Sequence, residues 1–411
     1  MPSNYKRLGD YIQEVNIRNR DLNNIPLLGV SIRKVLIPSI ANINGTDMST
    51  YKLIQKNQFA YGPVTSRNGD KISIALLEEY DNAIVSQAYT VFEVIDEGKL
   101  LPEYLMMWFR RHEFDRYARF MSHGSAREIF SWTEMCETEL PIPSIEKQNE
   151  LVKEYNTIQN RIALNNKLIR KLEETAQAIY KQWFVDFEFP DENGKPYKSN
   201  GGKVIWCEQL KKEYPTGWEI KSLRELFTII DNRGKTPICS EIKTIYPLIE
   251  IGAIRNDNRV IDFSKCDKYI SERTYNSFFR AGHPVKKDIL FSTVGSLAEM
   301  KIFWDQLGSI AQNIVGFRSN DNVGLFLYQT LCNLKNDLIS YEIGSVQASI
   351  KVSQIIDYKI IFPKMILIKK FENLSEILTN KMVIYSKQNI KLLELKEMLL
   401  AKMTRVEKEI H

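Results

Sequence analysis

Hydrophobic and polar residues follow two rhythms along this chain. Alternation at Ile72-Ser73-Ile74-Ala75-Leu76 and at Tyr89-Thr90-Val91-Phe92-Glu93-Val94 predicts strands. Elsewhere apolar residues recur at steps of three and four. One such series runs Leu151, Tyr155, Ile158, Ile162, Leu168 or Ile169, Leu172, Ala176, Ile179 and Trp183. A second runs Phe371, Leu374, Leu378, Met382, Tyr385, Leu392, Leu395 and Leu399. Neither stretch contains Pro or Gly, so each predicts a long helix with a coiled-coil seam. At a rise of 1.5 Å per residue, about 40 residues make a rod of roughly 60 Å. A polar residue interrupts each seam, near Asn165 and near Gln388-Asn389. A buried Asn there would fix helix register; a solvated bend is the alternative.

The chain also repeats itself. His123-Gly124-Ser125 followed by Leu140-Pro141-Ile142-Pro143 mirrors Ile343-Gly344-Ser345 followed by Ile360-Ile361-Phe362-Pro363, at an offset of 220. Ser86-Gln87 to Phe92 matches Ala311-Gln312 to Phe317 at 225, and Pro26-Leu27-Leu28 matches Pro247-Leu248-Ile249 at 221. Ile169, Leu172, Glu173 and Lys181 match Ile390, Leu393, Glu394 and Lys402, again at 221. Matches that keep their order predict a duplication. The expected fold is α+β: two similar mixed α/β domains separated by two long antiparallel helices, a coiled coil with a pseudo-two-fold internal repeat. Its boundaries are 1–142 for the first domain and 143–186 for the first helix, with a turn-rich linker at 187–214. The second domain follows at 215–362, the second helix at 363–404 and a tail at 405–411. Tyr5 is expected to stand in the first half where the second has Trp218.

Composition narrows the function classes. The 411 residues are 44% hydrophobic and 26% charged, as in ordinary globular proteins, and allow two or three domains. No apolar run approaches the length of a membrane span, and residues 1–10 lack an apolar signal core, so a cytoplasmic protein without membrane contact is expected. Five scattered cysteines argue for reduced thiols, and four histidines are thin material for a metal site. The net charge of +5 divides as −2 over 1–140, +1 over 141–216, +2 over 217–360 and +4 over 361–411. No segment is basic enough to bind nucleic acid by charge alone, so a DNA-binding role needs local patterning or a partner sharing the phosphates. The phosphate-binding loop, dinucleotide fingerprint, adenine-methyltransferase tetrapeptide and nucleophile elbow are all missing. Glu-x-Lys tripeptides at 219–221, 241–243 and 394–396 lack a paired acid. These absences point to a binding protein, not an enzyme.

The candidate contacts to DNA fall at matched places. Gly124-Ser125-Ala126-Arg127 and Gly344-Ser345-Val346-Gln347 resemble capped helix starts, whose free N–H groups suit phosphate. Arg127 would then suit guanine and Gln347 adenine. Arg18 and Arg20 in the first half, and Arg233 and Lys235 in the second, lie in polar turns after apolar runs. Arg33 and Lys34 match the region of Arg255. Ser66 and Arg67 match Thr293 and Ser296, and Gln87 matches Gln312. Solvated turns and structural hydrogen bonds explain several of these equally well.

Longer stretches carry a family likeness. Gly124-Ser125 with Leu140-Pro141-Ile142-Pro143 and Glu146-Lys147-Gln148 resembles the entry to the first helix of type I restriction–modification specificity subunits. Lys181-Gln182-Trp183-Phe184-Val185-Asp186-Phe187, Gly194-Lys195-Pro196-Tyr197 and Pro215-Thr216-Gly217-Trp218-Glu219-Ile220 resemble that family's central region. Residues 387–403 resemble its closing helix. The resemblance implies two target-recognition domains, each reading half of a bipartite double-stranded DNA site in the major groove. It implies two methyltransferase subunits and two motor–nuclease restriction subunits as partners. No cofactor is expected on this chain itself; S-adenosylmethionine, ATP and Mg²⁺ are expected in the partner subunits. A coiled-coil scaffold joining two binding domains without DNA specificity is the alternative, and a divergent free-standing DNA-modifying enzyme is a third reading that the missing motifs count against.

Overall fold

A computed structural model describes residues 5–22, 25–40, 45–66, 69, 71–124, 128–304, 307–344 and 348–404. The chain forms two compact units, one of residues 1–161 with 391–411 and the other of 162–390. The first unit is therefore built from both ends of the sequence.

In the first unit the alternating segments pair into a four-stranded sheet. Its order is Ile12–Val15, Thr90–Val94, Phe59–Gly62, Ser73–Leu76, with every neighbour antiparallel. A second sheet contains Leu27–Val30 running parallel to Asn82–Val85. Helix Pro102–Phe109 packs on the first sheet and is buried almost all round, with Pro in its opening turn where no backbone donor is lost. The second unit repeats this plan. Its sheet order is Phe227–Ile230, Ile314–Ser319, Ile289–Ser292, Met300–Ile302. Leu248–Ile249 runs parallel to Ser309–Ile310, and helix Gly324–Asn333 packs on the sheet. In each unit a short strand before the sheet pairs with the strand leading into a long helix: Tyr5–Arg7 with Glu139–Pro141, and Glu219–Ser222 with Lys359–Phe362. Two units with one strand order, one parallel pair and one closing strand are a structural duplication. The register corrects one detail. Tyr5 faces Pro141 while Ile220 faces Ile361, so the counterpart of Tyr5 is Ile220 and not Trp218.

The long helices are Ile145–Tyr180 and Met365–Lys402. Ser144 opens the first by accepting from the Lys147 amide. At its end Lys181–Val185 forms a π-helical turn, which shifts Phe184 inward among Trp218, Phe326 and Phe371. Within the second unit the two helices run antiparallel. Tyr180 lies 6.0 Å from Phe371, and Asn165 Nδ2 donates to Asn389 Oδ1 at 2.9 Å. Asn389 Nδ2 donates in turn to Asn166 Oδ1 at 2.8 Å. The polar interruptions of the two seams therefore meet each other. Within the first unit Leu399, Leu400 and Met403 join the core formed by Phe59, Phe92, Phe109 and Tyr155.

The seams differ from the expected ones in one respect. Leu374 and Leu395 point outward, while Glu173, Ser375 and Thr379 are buried. At the layer of Leu374 the reason is Arg259, whose buried guanidinium binds Glu173, Ser375 and Thr379. The segment expected to be turns alone also contains an antiparallel pair, Val204–Cys207 with Lys212–Pro215. Among the described residues no helix is long and apolar enough to cross a membrane.

One surface feature of the second unit gives a pH signature. The His283 ring stacks on Tyr275 at 3.6 Å and bonds its carbonyl through Nε2 at 2.8 Å. Burial holds the ring's pKa below the ordinary 6.5. As pH falls below 6.5, the unfolded chain therefore takes up a proton that the folded unit refuses, and stability declines. His283→Gln is expected to lessen the drop in urea midpoint between pH 7.5 and pH 5.5. An equal drop in wild type and variant would rule out this source.

Candidate nucleic-acid interface

The antiparallel sheets bring the candidate residues to one end. In the first unit the strand Ile12–Val15 runs out toward Arg18, Phe59–Gly62 runs out toward Ser66, and Thr90–Val94 begins just after Gln87. In an order where these three strands alternate in direction, all three loops leave the same edge. The second unit does the same with Arg233, Ser296 and Gln312. The parallel pairs add to this end, because the strand ahead of Arg33 and the strand ahead of Gln87 point the same way.

The Gly-Ser loops are held there in the same manner in both units. His123 and Ile129 exchange backbone bonds of 3.1 and 2.9 Å, and Ile343 and Ser349 exchange bonds of 2.9 and 3.0 Å. The Thr65 amide donates to Glu128 O at 3.0 Å, and the Gly295 amide to Ala348 O at 3.0 Å. Gly124 and Gly344 open the loops with φ of +136° and +100°, a conformation that favours glycine. Each loop is thus closed at its base and fastened beside the strand end that carries Ser66 or Ser296. Ser125, Arg127, Ser345 and Gln347, and also Arg67, lie outside the described residues.

Electrostatics distinguish the remaining candidates. Arg233 forks onto Asp231, with Nε to Oδ1 at 2.9 Å and Nη2 to Oδ2 at 2.6 Å. That hydrogen bonding holds the Asp231 carboxyl below its usual range. Arg233 Nη1 also reaches Thr293 Oγ1 at 3.5 Å, and Gln312 Nε2 donates to Thr236 Oγ1. A turn, a strand end and a loop are so joined into one polar surface. Arg18 donates to Thr50 O at 2.6 Å and is half-buried. Arg20, Arg33, Ser66, Gln87, Lys235, Arg255 and Gln312 are exposed, and Ser296 is half-buried.

Two candidates depart from expectation. Lys34 is buried: its ammonium lies 2.7 Å from Asp115 Oδ1 and donates to the Phe109 carbonyl. It fastens the turn to helix Pro102–Phe109 and offers nothing to a ligand. Thr293 is fully buried, with its amide donating to Asn313 O at 2.9 Å, so it supports the surface from beneath. Sequence reading missed Arg280, which donates to the Arg233 carbonyl at 3.3 Å and is exposed at the same edge. No spacing rule links residues 47 apart. Among the described residues no group of three or more His, Cys, Asp or Glu is placed to hold a metal ion.

Comparison with known proteins finds the same duplication. Residues 17–174 and 215–381 each match the family model described as type I restriction modification DNA specificity domain. The type I restriction enzyme MjaIX specificity subunit of Methanocaldococcus jannaschii is 24% identical over 314 residues, covering 75% of this chain and 70% of that one. The HindI specificity subunit of Haemophilus influenzae is 24% identical over 307 residues, covering 61% and 65%. A crystal structure of a type I restriction–modification S subunit from M. genitalium superposes with a TM-score of 0.53 at 14% identity, covering 98% and 96%, a likeness of fold.

Proposed function

Since this chain belongs to the type I restriction–modification DNA specificity family, we propose that it chooses the DNA target of such a complex. Each unit reads one half of a bipartite duplex site in the major groove. The chain itself is non-catalytic and works in the cytoplasm. Two methyltransferase subunits dock on the long helices and bring S-adenosylmethionine. Two motor–nuclease subunits, with ATP and Mg²⁺, complete the restriction form. The observation that carries this reading is the duplicated sheet end: the same loops, fastened by the same backbone bonds, occur once in each unit.

Three further features support it. Paired recognition surfaces suit a site made of two separated half-sites. A modest net charge fits a subunit whose partners share the phosphate contacts. Leu374, Ile377 and Ile384 expose apolar surface on the second long helix, as a partner helix would require. The scaffold reading has no support in the family match, which describes a DNA specificity domain twice over.

Selection from a random duplex library by the chain assembled with its methyltransferase subunits tests the proposal. A two-part motif with an unspecified gap is expected, and an unenriched library would refute it. Within that motif, Arg127→Ala and Gln347→Ala are each expected to cost about 1–3 kcal/mol and to relax one position of opposite halves. Variants that keep the full motif would remove those two residues from base reading.

A further inference from the structure

The largest fully buried side chain of the second unit is a charged one. Arg259 has no solvent-accessible surface. Its Nε donates to Glu173 Oε2 at 2.8 Å, and its Nη2 donates to Oε1 at 3.1 Å. Nη1 donates to Ser375 Oγ at 2.7 Å and Thr379 Oγ1 at 3.2 Å, and the guanidinium sits 5.3 Å from the Tyr328 ring centre. The Arg259 amide adds a bond to Glu173 Oε2 at 3.1 Å, and Gln329 donates to Oε1 at 3.2 Å. One residue of a domain loop is so bound to both long helices and to helix Gly324–Asn333.

The loop is fixed at a second point. Lys301 Nζ, also buried, donates to Asn256 O at 2.7 Å, and the Ile302 amide donates to Arg259 O at 2.8 Å. Four residues before Arg259 stands Arg255, exposed and among the candidate contacts. Burial opposes charge on Glu173, yet Arg259 outweighs it and holds the carboxyl below its usual range.

The first unit offers an internal control. At the repeat offset of 220, Tyr155 stands for Ser375 and Gln159 for Thr379, while at 221 Glu394 is the exposed counterpart of Glu173. Its joint is made instead by Tyr155 with Leu399 and Leu400. Apolar groups of matched volume generally serve stability as well as a buried ion pair does. What a forked, bidentate pair adds is a single orientation.

We propose that Arg259 and Glu173 are positioning residues for one half-site: they orient the loop of residues 255–260 on the long helices, so that base selection sharpens in the half read by the second unit and nowhere else. The proposal rests on the reading that each unit serves one half-site. It is tested by methylation mapping in a methylation-free host carrying the methyltransferase subunit. The chains compared are wild type, Arg259→Met, Arg259→Lys and the double variant Arg259→Met/Glu173→Met. Arg259→Met alone strands a buried carboxylate and serves as the folding-impaired reference. The double variant removes both charges, and Arg259→Lys keeps the charge but loses the fork. The double variant is expected to melt within a few degrees of wild type and to keep one half of the motif intact. At one or more positions of the other half, discrimination is expected to fall about tenfold, the scale of a single bidentate base contact. Arg259→Lys is expected to blur the same half. A double variant with an unchanged motif would overturn the proposal, as would equal blurring of both halves. Failure of the double variant to fold would overturn it too, since it would make the pair a stability element. No motif with the wild-type chain would instead sink the underlying specificity reading.

Discussion

With Leu399, Leu400 and Met403 changed to Ala, the first unit is expected to lose most of its stability while the second stays folded. All three side chains are buried in the core that holds Phe59, Phe92 and Phe109, although some 300 residues of chain separate them from it. Each large-to-small change in such a core costs about 2–5 kcal/mol. Three together rival the ~5–15 kcal/mol that keeps a whole domain folded. Site-resolved hydrogen exchange separates the outcomes. Protection should vanish across residues 59–62 and 90–94 and persist across 289–292 and 314–319. Uniform retention would show that the chain's far end is not needed for the first core.

Phe184→Ala is expected to do the reverse, costing the second unit about 3–5 kcal/mol. The π turn carries this ring to within 4.9 Å of Phe326 and 5.4 Å of Phe371, with Trp218 at 6.1 Å. Aromatic pairs of this geometry add about 0.5–1.5 kcal/mol beyond the burial itself. Denaturant midpoints read by exchange at 314–319 should fall, while those at 90–94 hold. A loss confined to residues 181–187 would mean that the turn decorates the core without supporting it.

Much of this organisation was legible in the sequence because it is local or repeated. Strands at Ser73–Leu76 and Thr90–Val94 follow from alternation, and the long helices follow from unbroken three-and-four spacing. The polar interruptions near Asn165 and near Gln388-Asn389 stand out in the seams, but their hydrogen bond to each other is seen only in the fold. Long-range pairings escaped. A seam reader chooses Leu172 and Leu374 over Glu173 and Ser375, because only the fold brings Arg259 to that layer. Lys34 looked like a surface cation because its partner, Asp115, is 81 positions away. The π turn has no composition signature that separates it from an ordinary helix end. In the candidate interface the matched loops could be named from the repeat, whereas Arg280 could not, since it arrives through a carbonyl contact with Arg233.

On the proposed function, this chain gives a methyltransferase a two-part address. Base-resolved methylation mapping measures that directly, in a methylation-free host expressing the methyltransferase subunit with and without the chain. N6-methyladenine is expected in a motif of two defined halves around an unspecified gap, present only when the chain is present. A contiguous motif, or a two-part motif that persists without the chain, would contradict it.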